Sequence, residues 1–365
     1  MTKIKEITNL LQQMAPLNYQ ESYDNSGLQT GDPNTEVTGV LVTLDCTLAV
    51  LDEAIAAGCN LLVAHHPVIF RPLKQLTGRD EVEKIIIKAI KHDIAIYACH
   101  TNLDNVLPGV NAKISEKLGL ENIKILSPKT GNLLKLVTFV PLENSADVLE
   151  ALYAAGAGQI GEYQNCSFRV SGTGTFMPSA AANPYLGEAG KQEEVAENRL
   201  EVILPDYLKD KVLNALFQAH PYEEVAHDIY RLGNTNQEIG AGIIGFLPEE
   251  MEQDRFLVYL KERMELNLVR HTDFSGNKIK KVAVCGGAGS FLIKDALRQG
   301  ADAYITADLK YHEFFTPEGR MLLADIGHYE SEVFTKEIFY DIIRKKFSNF
   351  AVLKSKVNTN PVRYT

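Results

Sequence analysis

The chain has few cysteines, no long apolar run and no excess of positive charge, and each absence excludes a class of protein. Its five cysteines include no C-x-x-C pair and are odd in number, so a disulfide-stapled fold is not expected. No apolar stretch approaches the ~18 residues that a transmembrane helix needs. The first residues carry regularly spaced charges and no apolar core, unlike a signal peptide. These absences predict a cytoplasmic protein without a membrane segment.

The net charge and the length of the chain further limit its possible ligands and its number of domains. The formal net charge of -10 disfavours general nucleic-acid binding, because a phosphate backbone rewards clustered Lys and Arg. A phosphorylated small molecule could still bind through a local basic patch or a metal. The 365 residues favour two domains at roughly 150 residues each.

The two outer thirds of the chain alternate strand and helix patterns. Apolar strand patterns cover 37–44, 60–64, 94–98, 281–285, 303–306 and 321–326, and helical patterns cover 48–57, 82–91 and the segment ending at 298. Apolar strands that alternate with helices are typical of parallel sheets covered on both faces. The outer thirds therefore predict an α/β fold with parallel-rich sheets flanked by helices.

The middle of the chain follows a different order. Strand patterns at 135–140, 167–176, 199–204 and 225–230 and helical patterns at 145–155 and 206–219 give β-α-β-β-α-β, the ferredoxin-like order. Turn residues at 127–132 and 233–236 bracket this unit, and 178–198 predicts a long flexible loop. We therefore expect residues 1–127 and 236–365 to form one discontinuous domain, with 128–235 inserted into it.

Three short segments place histidine or carboxylate where a strand pattern stops, which is where parallel sheets assemble their sites. His65 and His66 follow the strand at 60–64, and Asp104 follows the strand at 94–98. Because Pro67 restricts His66 to extended geometry, the two imidazoles could face two neighbouring metals, with Asp104 bridging them.

The third segment adds two further ligands. His328 and Glu332 are four residues apart, so a helix would place both on one face. A mixed set of imidazoles and carboxylates suits Zn²⁺, Fe²⁺ or Mn²⁺, and its size predicts two divalent ions per chain. The alternative is that these are unrelated core or surface residues. The recurrence of strand-end clusters favours metal binding. His100 could be a ligand, a partner of a ligand or a proton carrier.

Other motifs admit structural interpretations. The stretch 286–290 could hold an anion at a helix start or simply be a tight turn that needs small residues. His220 and His227 could form a second metal cluster, although a structural role at a helix end is favoured. Cys99 adjoins His100, but adjacent strand residues face apart, so no activated nucleophile is expected.

With these residues assembled, the sequence resembles the NGG-interacting-factor-like family, also described as GTP cyclohydrolase 1 type 2 homologs. The resemblance lies in the stretches Tyr23-Asp24-Asn25-Ser26-Gly27-Leu28, His65-His66-Pro67 with Phe70, His100-Thr101-Asn102-Leu103-Asp104, Cys285-Gly286-Gly287-Ala288-Gly289 and Asp325-Ile326-Gly327-His328-Tyr329-Glu330-Ser331-Glu332. Family members usually carry Trp where this chain has Tyr23. The resemblance implies a dinuclear metal site on His65, His66, Asp104, His328 and Glu332. It also implies a PII/CutA-like inserted domain and a ring-shaped homohexamer.

The leading functional prediction is a dinuclear metal-dependent hydrolase, because such sites lower the pKa of bound water and orient it for attack. The resemblance implies a nucleotide substrate, with opening of the guanine ring of GTP and release of formate. By position, His100 or Glu330 could shuttle the proton. The alternatives are a metal-dependent phosphoesterase and a metal-binding regulatory scaffold without turnover.

Overall fold

A computed structural model describes residues 1–273 and 278–365. Within these residues the chain divides into two compact units. The outer unit comprises Met1–Pro128 and Glu238–Thr365, and the middle unit comprises Lys129–Gln237. Among the described residues, no helix is both long enough and apolar enough to cross a membrane.

The helices and strands follow one another in mixed order. The helices are α1 Ile4–Met14, α2 Leu48–Ala56, α3 Glu81–Lys91, α4 Thr101–Asp104, α5 Val110–Lys117, α6 Ser145–Ala154, α7 Lys209–Ala219, α8 Gln253–Arg263, α9 Ile293–Arg298, α10 His328–Glu332 and α11 Thr335–Lys346. The strands are β1 Gly27–Thr30, β2 Gly39–Thr43, β3 Leu61–Ala64, β4 Ala95–Ala98, β5 Glu121–Thr130, β6 Leu133–Pro141, β7 Ser167–Phe176, β8 Glu193–Pro205, β9 His227–Leu232, β10 Thr235–Met251, β11 Arg270–His271, β12 Ile279–Ala288, β13 Ala303–Ala307, β14 Leu322–Asp325 and β15 Ala351–Lys354. Short 3₁₀ turns cover Leu17–Tyr19, Leu142–Asn144, Asp206–Leu208, Ser290–Leu292 and Tyr311–Phe315.

The first sheet of the outer unit has the strand order β1-β4-β3-β2-β15. Strands β4, β3, β2 and β15 are parallel, and β1 pairs with β4 in the antiparallel sense. Every residue of β2, β3 and β4 is buried, as expected for strands covered on both faces. The three strands consequently end side by side at one edge of the sheet.

Helices α2 and α3 pack against this sheet because their apolar faces complete its core. The hydroxyl of Thr47 accepts from the N–H of Val50 at the start of α2, and the Asp80 carboxylate accepts from the N–H of Glu83 at the start of α3. Such caps satisfy backbone donors that the first helical turn leaves free. The sequence thus sets where each helix begins, and burial of its apolar side holds it against the strands.

The second sheet of the outer unit has the order β11-β14-β13-β12-β10-β5. Strands β12, β13 and β14 are parallel, while β10 pairs antiparallel with β12 and β11 pairs antiparallel with β14. The mixed α/β class with parallel-rich sheets flanked by helices is confirmed.

The middle unit contains one antiparallel sheet of order β7-β8-β6-β9. Taken in chain order with helices α6 and α7, this is the ferredoxin-like arrangement expected from the sequence. Apolar residues of β6 and β8 form a core with both helices, including Leu136, Val148, Val202 and Leu216.

Some predicted boundaries are wrong. Residues 127–130, expected to be part of a turn, continue β5, and the chain turns only after Thr130. The loop expected at 178–198 is shorter, because β8 already begins at Glu193. The first residues of β8 are charged and do not give a strand pattern in the sequence, because they pair with the exposed edge strand β7 and do not enter the core.

Candidate metal centre

Two sheet edges of the outer unit supply the site. His65 and His66 follow β3, and His100 and Asp104 follow the adjacent parallel strand β4. His328 and Glu332 follow β14 of the second sheet, on α10. The structure therefore brings together six of the seven residues predicted for the site, and the seventh, Glu330, lies on the same short helix.

His65 is fully buried, and its ring is held in one orientation. Its Nδ1–H donates to the carbonyl oxygen of Cys99 at 2.8 Å, which leaves Nε2 with a free lone pair. That Nε2 atom is buried and has no hydrogen-bond partner within the described residues. The Oδ1 atom of Asp104, 3.6 Å away, is likewise buried without a partner there.

Such orphaned atoms are rare in folded proteins, because a buried polar atom without a partner costs about 1–3 kcal/mol. The Nε2 of His65 is also 3.8 Å from Oε1 of Glu332. These separations are too long for hydrogen bonds. They are close to the ~3.4 Å expected between two ligands of one tetrahedral ion with bonds of about 2.1 Å. The residues present therefore fit a metal ion.

A second group forms around the other carboxylate oxygen. Oε2 of Glu332 lies 2.9 Å from Nε2 of His66 and 3.0 Å from Nε2 of His328. The two imidazole nitrogens are 3.4 Å apart. Helix α10 places His328 and Glu332 one turn apart, as their spacing predicted.

Among the described residues, three sets of side chains could each hold a metal ion, because the ligand atoms within each set lie within 4.8 Å of one another. The sets are His65 with Asp104 and Glu332, His66 with His328 and Glu332, and His65 with His66 and His100. Glu332 is common to the first two. Geometry thus places Glu332 between two groups, where the sequence argument had suggested Asp104 as the shared carboxylate.

The charges of the site are unbalanced without a cation. Burial and the neighbouring Glu332 carboxylate raise the pKa of Asp104 to about 8. Burial also acts to raise the pKa of Glu332, but hydrogen bonds from His328 and His66 and the neighbouring His65 imidazole hold that pKa well below its usual range. Two carboxylates in so small a space favour a bound cation, which stabilises both anions.

Two imidazoles take protons in response to these carboxylates. Burial lowers the pKa of His66, yet hydrogen bonds to Asp45 and Glu332 outweigh it and raise that pKa to about 10. In the same way, Glu332 and Asp308 outweigh burial and raise the pKa of His328 to about 9. Metal binding at these rings must therefore displace protons.

Sequence reasoning missed the carboxylates behind the histidines. Nδ1 of His66 is 2.7 Å from Oδ1 of Asp45, and Nδ1 of His328 is 2.7 Å from Oδ2 of Asp308. Each acidic residue comes shortly after a strand, β2 for Asp45 and β13 for Asp308. That position was the available signal, because ligating histidines usually donate their second nitrogen to a carboxylate.

His100 has the same kind of support. Its Nδ1 is 2.7 Å from Oδ1 of Asp24. Burial opposes ionisation of Asp24, but hydrogen bonds from His100 and Thr101 hold its pKa below the usual range. The His100 ring lies 5.3 Å from the rings of both His65 and His66. This placement leaves its three predicted roles open: ligand, partner of a ligand or proton carrier.

A cavity of about 330 Å³ opens beside His66 and His328. Glu330 lines it, and its Oε1 accepts from the Nδ2–H of Asn360 at 2.9 Å. The preceding Thr359 donates its hydroxyl hydrogen to Oδ2 of Asp45. The segment after β15 therefore contacts both the cavity and the carboxylate that orients His66.

The glycine-rich stretch at the end of β12 supports the site rather than an anion. The N–H of Gly286 donates to Oδ1 of Asn111, and the N–H of Gly287 donates to Oγ of Ser331, both at 2.9 Å. A Cβ atom on Gly287 would lie 2.4 Å from Oε1 of Glu332, and its φ of +61° also favours glycine. These contacts favour a structural need for small residues, as the turn interpretation proposed, but β12 continues to Ala288 and the 3₁₀ turn begins only at Ser290.

The remaining candidates do not join the site. Nε2 of His220 donates to the carbonyl of Phe139, and its Nδ1 accepts from the N–H of Tyr222, so both nitrogens are used within the middle unit. With one nitrogen donating and the other accepting, the ring is neutral and has a structural role after α7. Burial raises the pKa of the Cys99 thiol, which disfavours a thiolate nucleophile.

Comparison with known proteins identifies the family of this chain. The model of the Duf34/NIF3 (NGG1p interacting factor 3) family matches residues 2–361. The chain belongs to the Duf34/NIF3 family. A Bacillus subtilis (strain 168) member named GTP cyclohydrolase 1 type 2 homolog is 40% identical over 368 residues, covering 99% of this chain and 98% of that protein. A Halalkalibacterium halodurans protein of the same name is 39% identical over 366 residues, covering 98% of each.

Solved structures of Duf34/NIF3 relatives share the fold. A Bacillus cereus protein related to NIF3 is 39% identical, with a TM-score of 0.87 and coverage of 100% of this chain and 99% of that one. A Staphylococcus aureus protein is 32% identical, with a TM-score of 0.79 and the same coverage. The family predicted from the sequence motifs is confirmed.

Proposed function

We propose that this Duf34/NIF3 protein is a dinuclear metal-dependent hydrolase that acts on GTP or a related nucleotide. The observation that carries the proposal is the pair of buried, unpartnered atoms, Nε2 of His65 and Oδ1 of Asp104, beside a carboxylate shared with a second ligand group. The name carried by the Bacillus subtilis relative supports the substrate class.

The metal ligands in this proposal are His65, His66, Asp104, His328 and Glu332, with Glu332 shared. Two divalent ions, Zn²⁺, Fe²⁺ or Mn²⁺, would supply a water of lowered pKa and would polarise the substrate at the carbon or phosphorus atom that this water attacks. Five side chains shared in this way leave coordination positions for water and substrate.

Proton transfer falls to residues next to the ligands. His100 has its Nδ1 fixed by Asp24, so its Nε2 can accept or donate a proton on the side that faces His65 and His66. Glu330 lines the neighbouring cavity and could exchange a proton with a ligand bound there. Cys99 is assigned no role in this chemistry.

The test couples metal content to turnover. Metal-loaded protein should contain about two ions per chain and release formate from GTP. Chelation should abolish release, and added Zn²⁺, Mn²⁺ or Fe²⁺ should restore it. The double variant His65→Ala, His66→Ala should lose nearly all metal while remaining folded by circular dichroism. The variant Cys99→Ser should keep its activity.

The rival functions give different results in the same assay. Phosphate release instead of formate would identify a phosphoesterase that uses the same site. Full metal content without any turnover would support a regulatory scaffold. Activity that survives thorough chelation but is lost in Cys99→Ser would contradict metal-dependent hydrolysis altogether.

The proposal includes the cellular and assembly context. The five cysteines are all free thiols, which suits a reducing cytoplasm. The inserted PII/CutA-like domain and the ring-shaped homohexamer rest on the family resemblance, and light scattering of the metal-loaded protein tests the assembly.

A further inference from the structure

Two large aromatic side chains stand next to each other in solvent in the outer unit. Tyr23 is 65% exposed and Phe70 is 46% exposed, and their ring centroids lie 6.4 Å apart. Scattered apolar side chains are common on protein surfaces, but adjoining exposed rings form a patch, and such patches tend to mark binding surfaces.

This aromatic pair, Tyr23 and Phe70, borders the candidate metal centre. The Phe70 ring meets the His100 ring edge-on, with centroids 6.3 Å apart. The His100 ring is in turn 5.3 Å from the rings of His65 and His66. The planes of Tyr23 and Phe70 are tilted by 53°, so a planar molecule that stacks on one ring would contact the other at an angle and would lie beside His100.

The loops that carry the two rings are fixed. Asp24, next to Tyr23, accepts from Nδ1–H of His100 at 2.7 Å and from the N–H of Thr101 at 3.0 Å. Asn25 donates through Nδ2 to the carbonyl of Ile69, next to Phe70, at 2.6 Å. The N–H of Ile69 donates to Oε1 of Gln29 at 3.1 Å. Since these bonds tie the loops together and to His100, binding need not order them first.

The charges around the pair favour a neutral ring over a phosphate. Burial and then the carboxylates of Glu21, Asp24 and Asp104 raise the pKa of Tyr23, so negative charge surrounds its ring. A phosphate group placed there would be repelled. Stacking on an aromatic face requires no charge and tolerates any planar base.

We propose that Tyr23 and Phe70 form a stacking surface for a planar heteroaromatic ring, such as a purine base, of the molecule that reacts at the metal centre. This inference rests on the proposed function and deepens it. The heterocycle itself is presented to the metals, as ring hydrolysis requires, and the phosphates lie away from Tyr23. Both side chains are positioning residues.

The experiment uses isothermal titration of metal-loaded full-length protein with guanosine, GTP and inorganic triphosphate. Tyr23→Ala and Phe70→Ala should each weaken guanosine and GTP binding about tenfold, as expected for one lost stacking contact. Binding of inorganic triphosphate should not change. Tyr23→Phe keeps the ring and should stay within about twofold of the parent.

The matched control is Phe315→Ala. Phe315 is 62% exposed, and its ring centroid lies 5.4 Å from that of Tyr311. The substitution therefore removes a comparable exposed ring from the same unit. Its affinity for guanosine should equal that of the parent. Metal content, measured on every sample, should be the same in all variants.

Several results would overturn the stacking surface. They are unchanged guanosine affinity in both alanine variants, an equal loss for inorganic triphosphate, or no binding of guanosine or GTP to the metal-loaded parent. Altered oligomeric state with intact affinity would identify the pair as a subunit contact instead. Guanosine binding that depends on Tyr23 without any turnover would refute the proposed function alone. Turnover with an unchanged KM in both alanine variants would refute the stacking surface alone.

Discussion

The histidines of the site share one arrangement at the level of single atoms. Each Nδ1 is engaged on the side away from the centre, by Cys99 for His65, Asp45 for His66, Asp24 for His100 and Asp308 for His328. Each Nε2 is thereby left for the centre. Fixing the ring in this way raises its affinity for a metal, because orientation is set before the ion binds.

Replacing one of these supports should weaken metal binding without removing a ligand. We expect Asp45→Asn to lower metal affinity about 10- to 100-fold. The reason is that a neutral amide oxygen accepts the Nδ1–H of His66 less strongly than a carboxylate does, so the ring becomes a weaker ligand. Competition with a chromogenic chelator measures the affinity. Asp52→Asn is the control, since Asp52 is an exposed carboxylate of the same unit that pairs with Lys88. An equal effect of both substitutions would show that bulk charge, rather than orientation, controls binding.

The sequence indicates the candidate site because its histidines and carboxylates directly follow recognisable strand patterns. His65, His66 and Asp104 each follow a short apolar run that is typical of a buried strand, and parallel order of such strands predicts that the three residues meet at one edge. Asp45 and Asp308 were not recognised as partners. A single acidic residue after a strand is common, and only the fold shows that it reaches a histidine.

At the level of elements, strands of mixed composition escaped prediction. β10 runs from Thr235 to Met251, yet it contains Gly240, Gly242 and Gly245, which disfavour a strand in isolation. The structure requires these glycines where backbones touch. A Cβ atom on Gly240 would lie 2.2 Å from the carbonyl oxygen of Ser127. Tertiary packing therefore decided the element, and composition alone could not.

The segment after α7 should make the middle unit sensitive to acid. Burial lowers the pKa of His220 below its usual value of 6.5, against the hydrogen bond that its Nε2–H donates to the carbonyl of Phe139 and against the charge of Glu197. Protonation would also place a hydrogen on Nδ1, which now accepts from Tyr222. The unfolded chain therefore binds this proton more readily. The stabilisation is complete above pH 6.5 and is lost as the pH falls below that value.

Hydrogen exchange of β6 and α7 at pH 7.5 and 5.5 measures this effect in the full chain. We expect the protection factors, which correct for the slower intrinsic exchange at lower pH, to fall at pH 5.5, and to fall less in His220→Gln, which cannot titrate. His92→Gln, at an exposed position of the outer unit, should behave like the parent. A pH response that is identical in His220→Gln and in the parent would assign the acid sensitivity to other groups.

For the whole molecule, the positions of the ligands along the chain predict that metal binding does not need the inserted segment. All five predicted ligands lie outside Lys129–Gln237. The chain leaves and re-enters the outer unit at adjoining points, since a Cβ atom on Gly240 would be 2.6 Å from Cα of Pro128. A short connection can consequently close the gap at small entropic cost.

We therefore expect that replacing residues 129–237 by a short Gly-Ser linker leaves a folded outer unit with the metal content of the parent. Circular dichroism and elemental analysis measure the two properties, and the same shortened chain with His65→Ala and His66→Ala serves as the metal-free reference. An unfolded product would show that the outer unit needs the inserted segment. A folded product without metal would instead place ligands in the middle unit, where His220 and His227 are the remaining imidazoles. Retained metal with altered assembly would assign self-association to the inserted segment, since the strands that precede the ligands, β3, β4 and β14, all lie outside it.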